Sequence, residues 1–194
     1  MNPTTAPADI ILTASMSVTP DELRVAYQIE NRSRSTLAVY DGAGSPPPGD
    51  TGSWPELTEN VYVSFESPDR LHLKRVRPPT PEGVDITFIE LPPVSRIDPG
   101  AVRRSRFALK LPVSEYSEYF PDNPEARWEE RTAREVQLWI GYFRATPETE
   151  FTPLPESPHI YLVGGELGEE EVVTALQTLT LPVRVRTDPD FERV

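Results

Sequence analysis

The sequence predicts an all-β protein made of two antiparallel sheets packed face to face. Three observations point there. Short segments alternate apolar and polar side chains, the period that gives a strand one buried and one wet face. Clusters of Pro, Gly, Asp and Asn cut these segments apart. The 194 residues also include 23 Pro, each of which removes a backbone donor and suits strand ends, edges and loops better than helices.

Taken in order, Ile10, Leu12, Ala14, Met16 and Val18 share one face of a first strand. The turn Thr19-Pro20-Asp21-Glu22 leads into a second strand carrying Leu23, Val25, Tyr27 and Ile29. A polar break from Asn31 to Ser35 precedes a third strand at Leu37 and Val39. Residues 41–59 are too rich in Gly, Pro and Asp for regular structure and read as a long loop. Strands resume at Val61, Val63 and Phe65, and again at Leu71 and Leu73 after the turn Ser67-Pro68-Asp69-Arg70. Arg77 to Gly83 is a further break before Val84, Ile86 and Phe88.

The turn Asp98-Pro99-Gly100 introduces a strand with Ser105, Phe107, Leu109 and Leu111 on one face, ended by Pro112. Within residues 113–134, Asn123-Pro124-Glu125 has the order of an N-cap, a first-turn proline and an early acid, which predicts a short helix over 125–132. Val136, Leu138, Ile140 and Tyr142 form a strong strand, a break runs to Pro158, and an apolar patch covers Ile160 to Val163. Glu169 to Leu176 reads as a helical turn. The last strand turns Leu179, Leu181, Val183 and Val185 inward, and Pro182 marks an edge or bulge in it.

A strand with one apolar face must bury it against another layer. An immunoglobulin-like antiparallel β-sandwich, with long loop insertions and at most one or two short helices, is therefore the leading expectation. A jelly roll or a small barrel leaves much the same trace. The run Ile97-Asp98-Pro99-Gly100 ahead of an alternating strand resembles turns common in bacterial immunoglobulin-like domains. The expected organisation is a flexible segment at 1–9, one sandwich over 10–187 with insertions at 41–59 and 113–134, and a tail at 188–194. Its core should contain Leu12, Val25, Tyr27, Ile29, Val63, Phe65, Phe107, Leu109, Leu138, Ile140, Leu181 and Val183.

Composition narrows the function. The chain has no Cys, which removes disulfides, thiolate metal sites and a Cys nucleophile together. Its formal charge of −12, from 19 Lys and Arg against 31 Asp and Glu, opposes steering toward nucleic acid or an anionic membrane. Residues 1–9 lack the basic start and apolar run of a secretory signal, so the expected location is cytoplasmic.

Several short motifs contain residues suited to chemistry. Asp50-Thr51-Gly52-Ser53 spells the short aspartic-protease motif, where paired Asp residues share a proton. Here it follows Pro46-Pro47-Pro48-Gly49 rather than a hydrophobic strand and has no second copy, so only a homodimer would complete the pair. Asp41, Asp50, Glu56 and Glu59 carry oxygen ligands for Ca²⁺ without the spaced ladder of a calcium loop. His72 and His159 have no neighbour at zinc-ligand spacing. No Gly-x-Ser-x-Gly or glycine-rich phosphate loop occurs. No cofactor is expected.

What remains are surfaces. Tyr116, Tyr119, Phe120 and Trp128 stand among acidic residues in the 113–134 insertion, with Trp54 in the other long loop. Aromatic anchors beside charges suit protein recognition. A noncatalytic protein-binding or adaptor module is the expected function, with recognition placed at Tyr116 to Trp128 rather than at Ala43 to Trp54. The alternatives are a small-ligand or carbohydrate-binding module, with Trp54, Trp128 or Trp139 as stacking platforms, and an acid-dependent hydrolase using Asp50. Arg70, His72 and Lys74 share one strand face, and Arg104, Arg106 and Lys110 another. Neighbouring strands would join them into a basic stripe, although cross-strand pairing with carboxylates is favoured. Trp139 and Phe143 lie opposite Leu138 and Ile140, so that strand needs cover on both faces, from the insertion around Trp128 or from a second copy of the chain.

Overall fold

The computed structural model describes residues 9–40, 61–66, 68–77, 92–116, 126–154 and 157–187. They form twelve strands: β1 (Ile10–Val18), β2 (Glu22–Asn31), β3 (Leu37–Tyr40), β4 (Tyr62–Glu66), β5 (Arg70–Arg75), β6 (Val94–Ile97), β7 (Val102–Lys110), β8 (Val113–Ser114), β9 (Trp128–Arg144), β10 (Thr149–Leu154), β11 (Ser157–Gly165) and β12 (Glu170–Arg186). The protein is all-β, and no helix occurs among the described residues. No helix there is long and apolar enough to cross a membrane, which leaves strand-based crossing aside.

Both helical expectations are corrected. From Trp128 onward the segment read as helix 125–132 is strand, and Glu170 to Leu176 opens β12. The two strands pair antiparallel along most of their length, from Glu170 opposite Phe143 to Arg186 opposite Trp128. Helix formers such as Glu and Ala yield here because long-range pairing outweighs local propensity. A register shift between Thr178 and Leu181 supplies the bulge that Pro182 signals.

Strands β1, β2 and β7 form one sheet in that order, and the other nine form a second sheet. Pairing is mixed rather than purely antiparallel. β5 runs parallel to β9, and β8 runs parallel to β12. The alternation fixes which face is buried: Met16, Val25, Tyr27, Ile29 and Phe107 from the small sheet meet Val63, Phe65, Leu71, Leu73, Leu138, Ile140, Leu181 and Val183 from the large one in a single hydrophobic cluster. Ten of the twelve expected core residues are buried; Leu12 and Leu109 pack against the cluster while remaining partly exposed.

The polar break after β2 is a lock between the sheets. Fully buried Asn31 donates from Nδ2 to the carbonyls of Ser35 and Ile97, both at 2.9 Å. Its Oδ1 accepts from the Ser33 amide at 3.0 Å and hydroxyl at 2.7 Å. These contacts tie the β2-to-β3 crossing to the β6-to-β7 crossing. The expected turn follows, with Gly100 at φ +77° and Ala101 N donating to Asp98 O at 3.0 Å; only glycine adopts that angle without strain.

Strand β9 carries two partners along one edge. Residues 135–140 pair with β5 and residues 142–144 with β3. Gly141 sits at the junction, where a Cβ would stand 3.1 Å from Val76 Cα and 3.0 Å from the buried Tyr40 ring. The absent side chain lets the chain leave β5 directly over β9.

At Phe143 the second face of β9 is covered from within the chain, while residues 117–125 of the insertion lie outside the described residues. Phe143 is 1% exposed and packs with Ala38, Tyr40 and Val94 against Phe151, Tyr161, Val163 and Leu167. Most of that cover is the hairpin β10–β11, whose first strand lies in the expected break and whose second carries the apolar patch Ile160 to Val163. Pro153 stands in β10, which among the described residues pairs only with β11 at the end of the sheet, where proline's missing donor costs little.

Arg75 ends the inward row of β5. It is fully buried, with Nη1 donating to Tyr27 Oη at 2.8 Å and the guanidinium 4.5 Å from the Phe107 ring centroid. A cation on that ring face is attracted by the ring quadrupole, so one side chain links β5 to the small sheet.

Candidate functional site

After Pro112 the chain leaves the small sheet and bridges the edges of the large one. Val113 and Ser114 pair with Val183 and Arg184. Glu115 N donates to Arg184 O at 3.0 Å, and Tyr116 exchanges two 3.0 Å backbone bonds with Val63. Backbone pairing thus runs from β4 through β5, β9, β12 and β8 back to β4. The Glu115 carboxylate completes this closure. Oε1 accepts from Phe65 N at 2.8 Å and Oε2 from Arg186 N at 2.7 Å, with the residue 4% exposed.

Tyr116, held on that fixed backbone, is 41% exposed. Its ring stacks on Tyr62 at 6.2 Å between centroids and 10° between planes. Beside it opens a cleft of about 290 Å³ between the two sheets, lined by Val61, Val63, Leu109, Pro112, Val113 and Tyr116. The walls are largely apolar, with Lys110 at the margin.

Trp128 opens β9 directly opposite Arg186. It is half-buried, with the Arg184 guanidinium 5.0 Å and that of Arg186 5.9 Å from its ring centroid. Its ring is occupied by this chain's own cations. Tyr119, Phe120 and Trp54 lie outside the described residues, as do Asp41, Asp50, Glu56 and Glu59. Among the described residues no cluster of His, Asp and Glu is arranged to hold a metal ion.

The two histidines sit apart, His72 buried on β5 and His159 exposed on β11. His72 Nδ1 stands 3.0 Å from Glu66 Oε1, outside hydrogen-bonding geometry, and Lys74 Nζ stands 3.8 Å from the same oxygen. Trp139 packs on both, 5.4 Å from the His72 ring and 5.8 Å from Lys74 Nζ. Ser64 Oγ, His72 Nε2 and Trp139 Nε1 are buried without a hydrogen-bond partner among the described residues. Burial pushes the His72 pKa below its ordinary value of 6.5, against the attraction of Glu66 and with help from Lys74 and Arg70.

The consequence for stability has a definite sign. The unfolded chain takes up a proton at His72 before the folded chain does, so this group's stabilisation is present above pH 6.5 and is lost as pH falls toward the lower folded value. Melting temperature should therefore drop on acidification from neutral pH, and His72→Gln should flatten that slope. Glu170, whose carboxyl is pushed up by burial, acts in the opposite sense in acid, so the test is the difference between the two proteins. Equal slopes would show that His72 does not contribute.

The basic residues divide in the same way. β5 and β7 lie in different sheets, so no joint stripe forms. On β5, Arg70 is paired with Glu135 at 2.7 Å and Lys74 approaches Glu66, which is the cross-strand neutralisation expected. Arg104, Arg106 and Lys110 are exposed on β7. Comparison with family models, curated proteins and solved structures finds no match for the chain.

Proposed function

We propose that this chain is a noncatalytic protein-binding module, an immunoglobulin-like β-sandwich that engages a partner protein through Tyr116 and the cleft beside it. The strand order supports the scaffold reading: β1-β2-β7 faces a sheet containing β6-β3-β9-β12. This is the order of strands A-B-E and C′-C-F-G in immunoglobulin-like sandwiches. The hairpins β4–β5 and β10–β11 are then insertions.

One observation carries the functional reading: an exposed aromatic ring stands over an apolar cleft on a backbone locked by two buried hydrogen bonds to Glu115. Aromatic anchors beside pockets dominate protein interfaces, and a fixed backbone lowers the ordering cost of binding. A small-ligand module has less support. The cleft is at the small end for ligand pockets, and Trp128 and Trp139, two of the three rings a sugar would stack on, already pack against cations.

The test is Tyr116→Ala. Loss of the Tyr62 stack should cost about 0.5–1.5 kcal/mol, leaving the far-ultraviolet spectrum unchanged. Affinity for a protein partner isolated with the wild-type chain should fall at least about tenfold, as for a central anchor. Unchanged affinity in a folded variant would remove Tyr116 from the interface. Sedimentation of the purified chain separates a second copy from a different partner.

A further inference from the structure

The outward face of β1-β2-β7 is a groove of about 700 Å³ with small residues at its floor and arginines along it. Register places Ser15, Ala26 and Arg106 in one row across the three strands, and Ser17, Arg24 and Ala108 in the next. Small side chains in both rows leave room above the sheet between the long ones. Strand alternation puts Arg104, Arg106 and Lys110 on this face together with Arg24.

Its carboxylates are spent locally. Glu22 binds Arg24 at 2.6 Å and Glu30 binds Arg32 at 2.7 Å. Arg104 and Arg106 are exposed and form no ion pair among the described residues. A chain with 31 acidic residues and a net charge of −12 thus presents, on one sheet face, a cationic row without ion-pair partners among the described residues.

We infer that this groove binds an extended acidic segment of a partner protein. The occupant follows from charge and spacing. Arg104 and Arg106 are two residues apart on a strand, a repeat of about 6.8 Å, and alternate side chains of an extended peptide repeat at the same distance. Carboxylates at alternate positions therefore meet successive guanidiniums, each able to form a paired hydrogen bond. A polynucleotide also carries regularly spaced anions, but its dense charge is opposed by the field of so acidic a chain. This surface is separate from the Tyr116 ring, and the inference stands without the function proposed above.

The experiment uses the full chain and a fluorescent peptide alternating glutamate with threonine, followed by anisotropy. Wild type should bind it in a salt-sensitive manner and should not bind the glutamine version of the same peptide. The Arg104→Ala/Arg106→Ala protein should bind at least about tenfold more weakly, while Arg104→Lys/Arg106→Lys, which keeps the charge but loses the paired hydrogen bonds, should fall between it and wild type. Tyr116→Ala should bind as wild type does. Equal binding of the glutamate and glutamine peptides, or undiminished binding by the alanine variant, overturns the inference. So does single-stranded DNA of equal charge that competes as well as the acidic peptide.

Discussion

Glu115→Ala is expected to lower the stability of the folded chain by about 2–6 kcal/mol, since two buried amides lose their acceptor and each orphaned group costs about 1–3 kcal/mol. The amides are those of Phe65 on β4 and Arg186 on β12. No water replaces the carboxylate easily where the residue is 4% exposed. Most domains are stable by only about 5–15 kcal/mol, so the variant should unfold at much lower urea, if it accumulates folded at all. Glu115→Gln separates shape from chemistry. Its carbonyl oxygen serves one amide while its NH₂ faces the other, so it should fall between wild type and alanine. A urea midpoint for the alanine variant equal to wild type would show that the clamp contributes nothing.

Leu138→Ala should cost about 2–5 kcal/mol, the range for a buried leucine whose cavity cannot collapse. Leu138 is fully buried and lies between Leu73 on β5 and Ala175 on β12. With ordered strands on both sides, the backbone has little room to close the gap. Leu176→Ala, one position further along β12, is the internal comparison. That side chain is 54% exposed, and its loss should change stability by no more than about 0.5 kcal/mol. Similar urea midpoints for the two variants would mean that the inward and outward rows are misassigned.

The inward rows were legible because β1, β2 and β7 each have one apolar and one polar face, and alternation reports that directly. Val25, Tyr27, Ile29 and Phe107 follow from it. The start of β9 was not legible: Glu125 to Thr132 reads as a capped helix, and from Trp128 onward only pairing with β12 makes it a strand. The hairpin β10–β11 was obscured by Pro153 and Pro158, which read as breakers when the sheet edge is unknown. β6 is four residues long and follows Pro92 and Pro93, too short to show a period. The parallel pairings leave no local trace, because each joins residues distant in the chain.

The candidate site divides along the same line. Tyr116 was recognisable as an aromatic among acids. Glu115 was not recognisable as different from Glu118 or Glu129, since its role depends on the amides of Phe65 and Arg186, brought to it by three separate crossings. Trp128 was read as part of the same loop as Tyr116 and instead begins a strand, with its ring beside Arg184 and Arg186. The basic row of β7 was visible as a spacing. That Arg104 and Arg106 face small residues and form no ion pair among the described residues required the register of the sheet.

The most direct measurement is crosslinking from position 116 in the source cells. A photoreactive phenylalanine analogue there, beside the cleft, should yield a discrete adduct with one other protein, and the same analogue at exposed position 148 should not. No adduct from position 116, or the same adducts from both positions, would contradict a protein-binding module anchored at Tyr116.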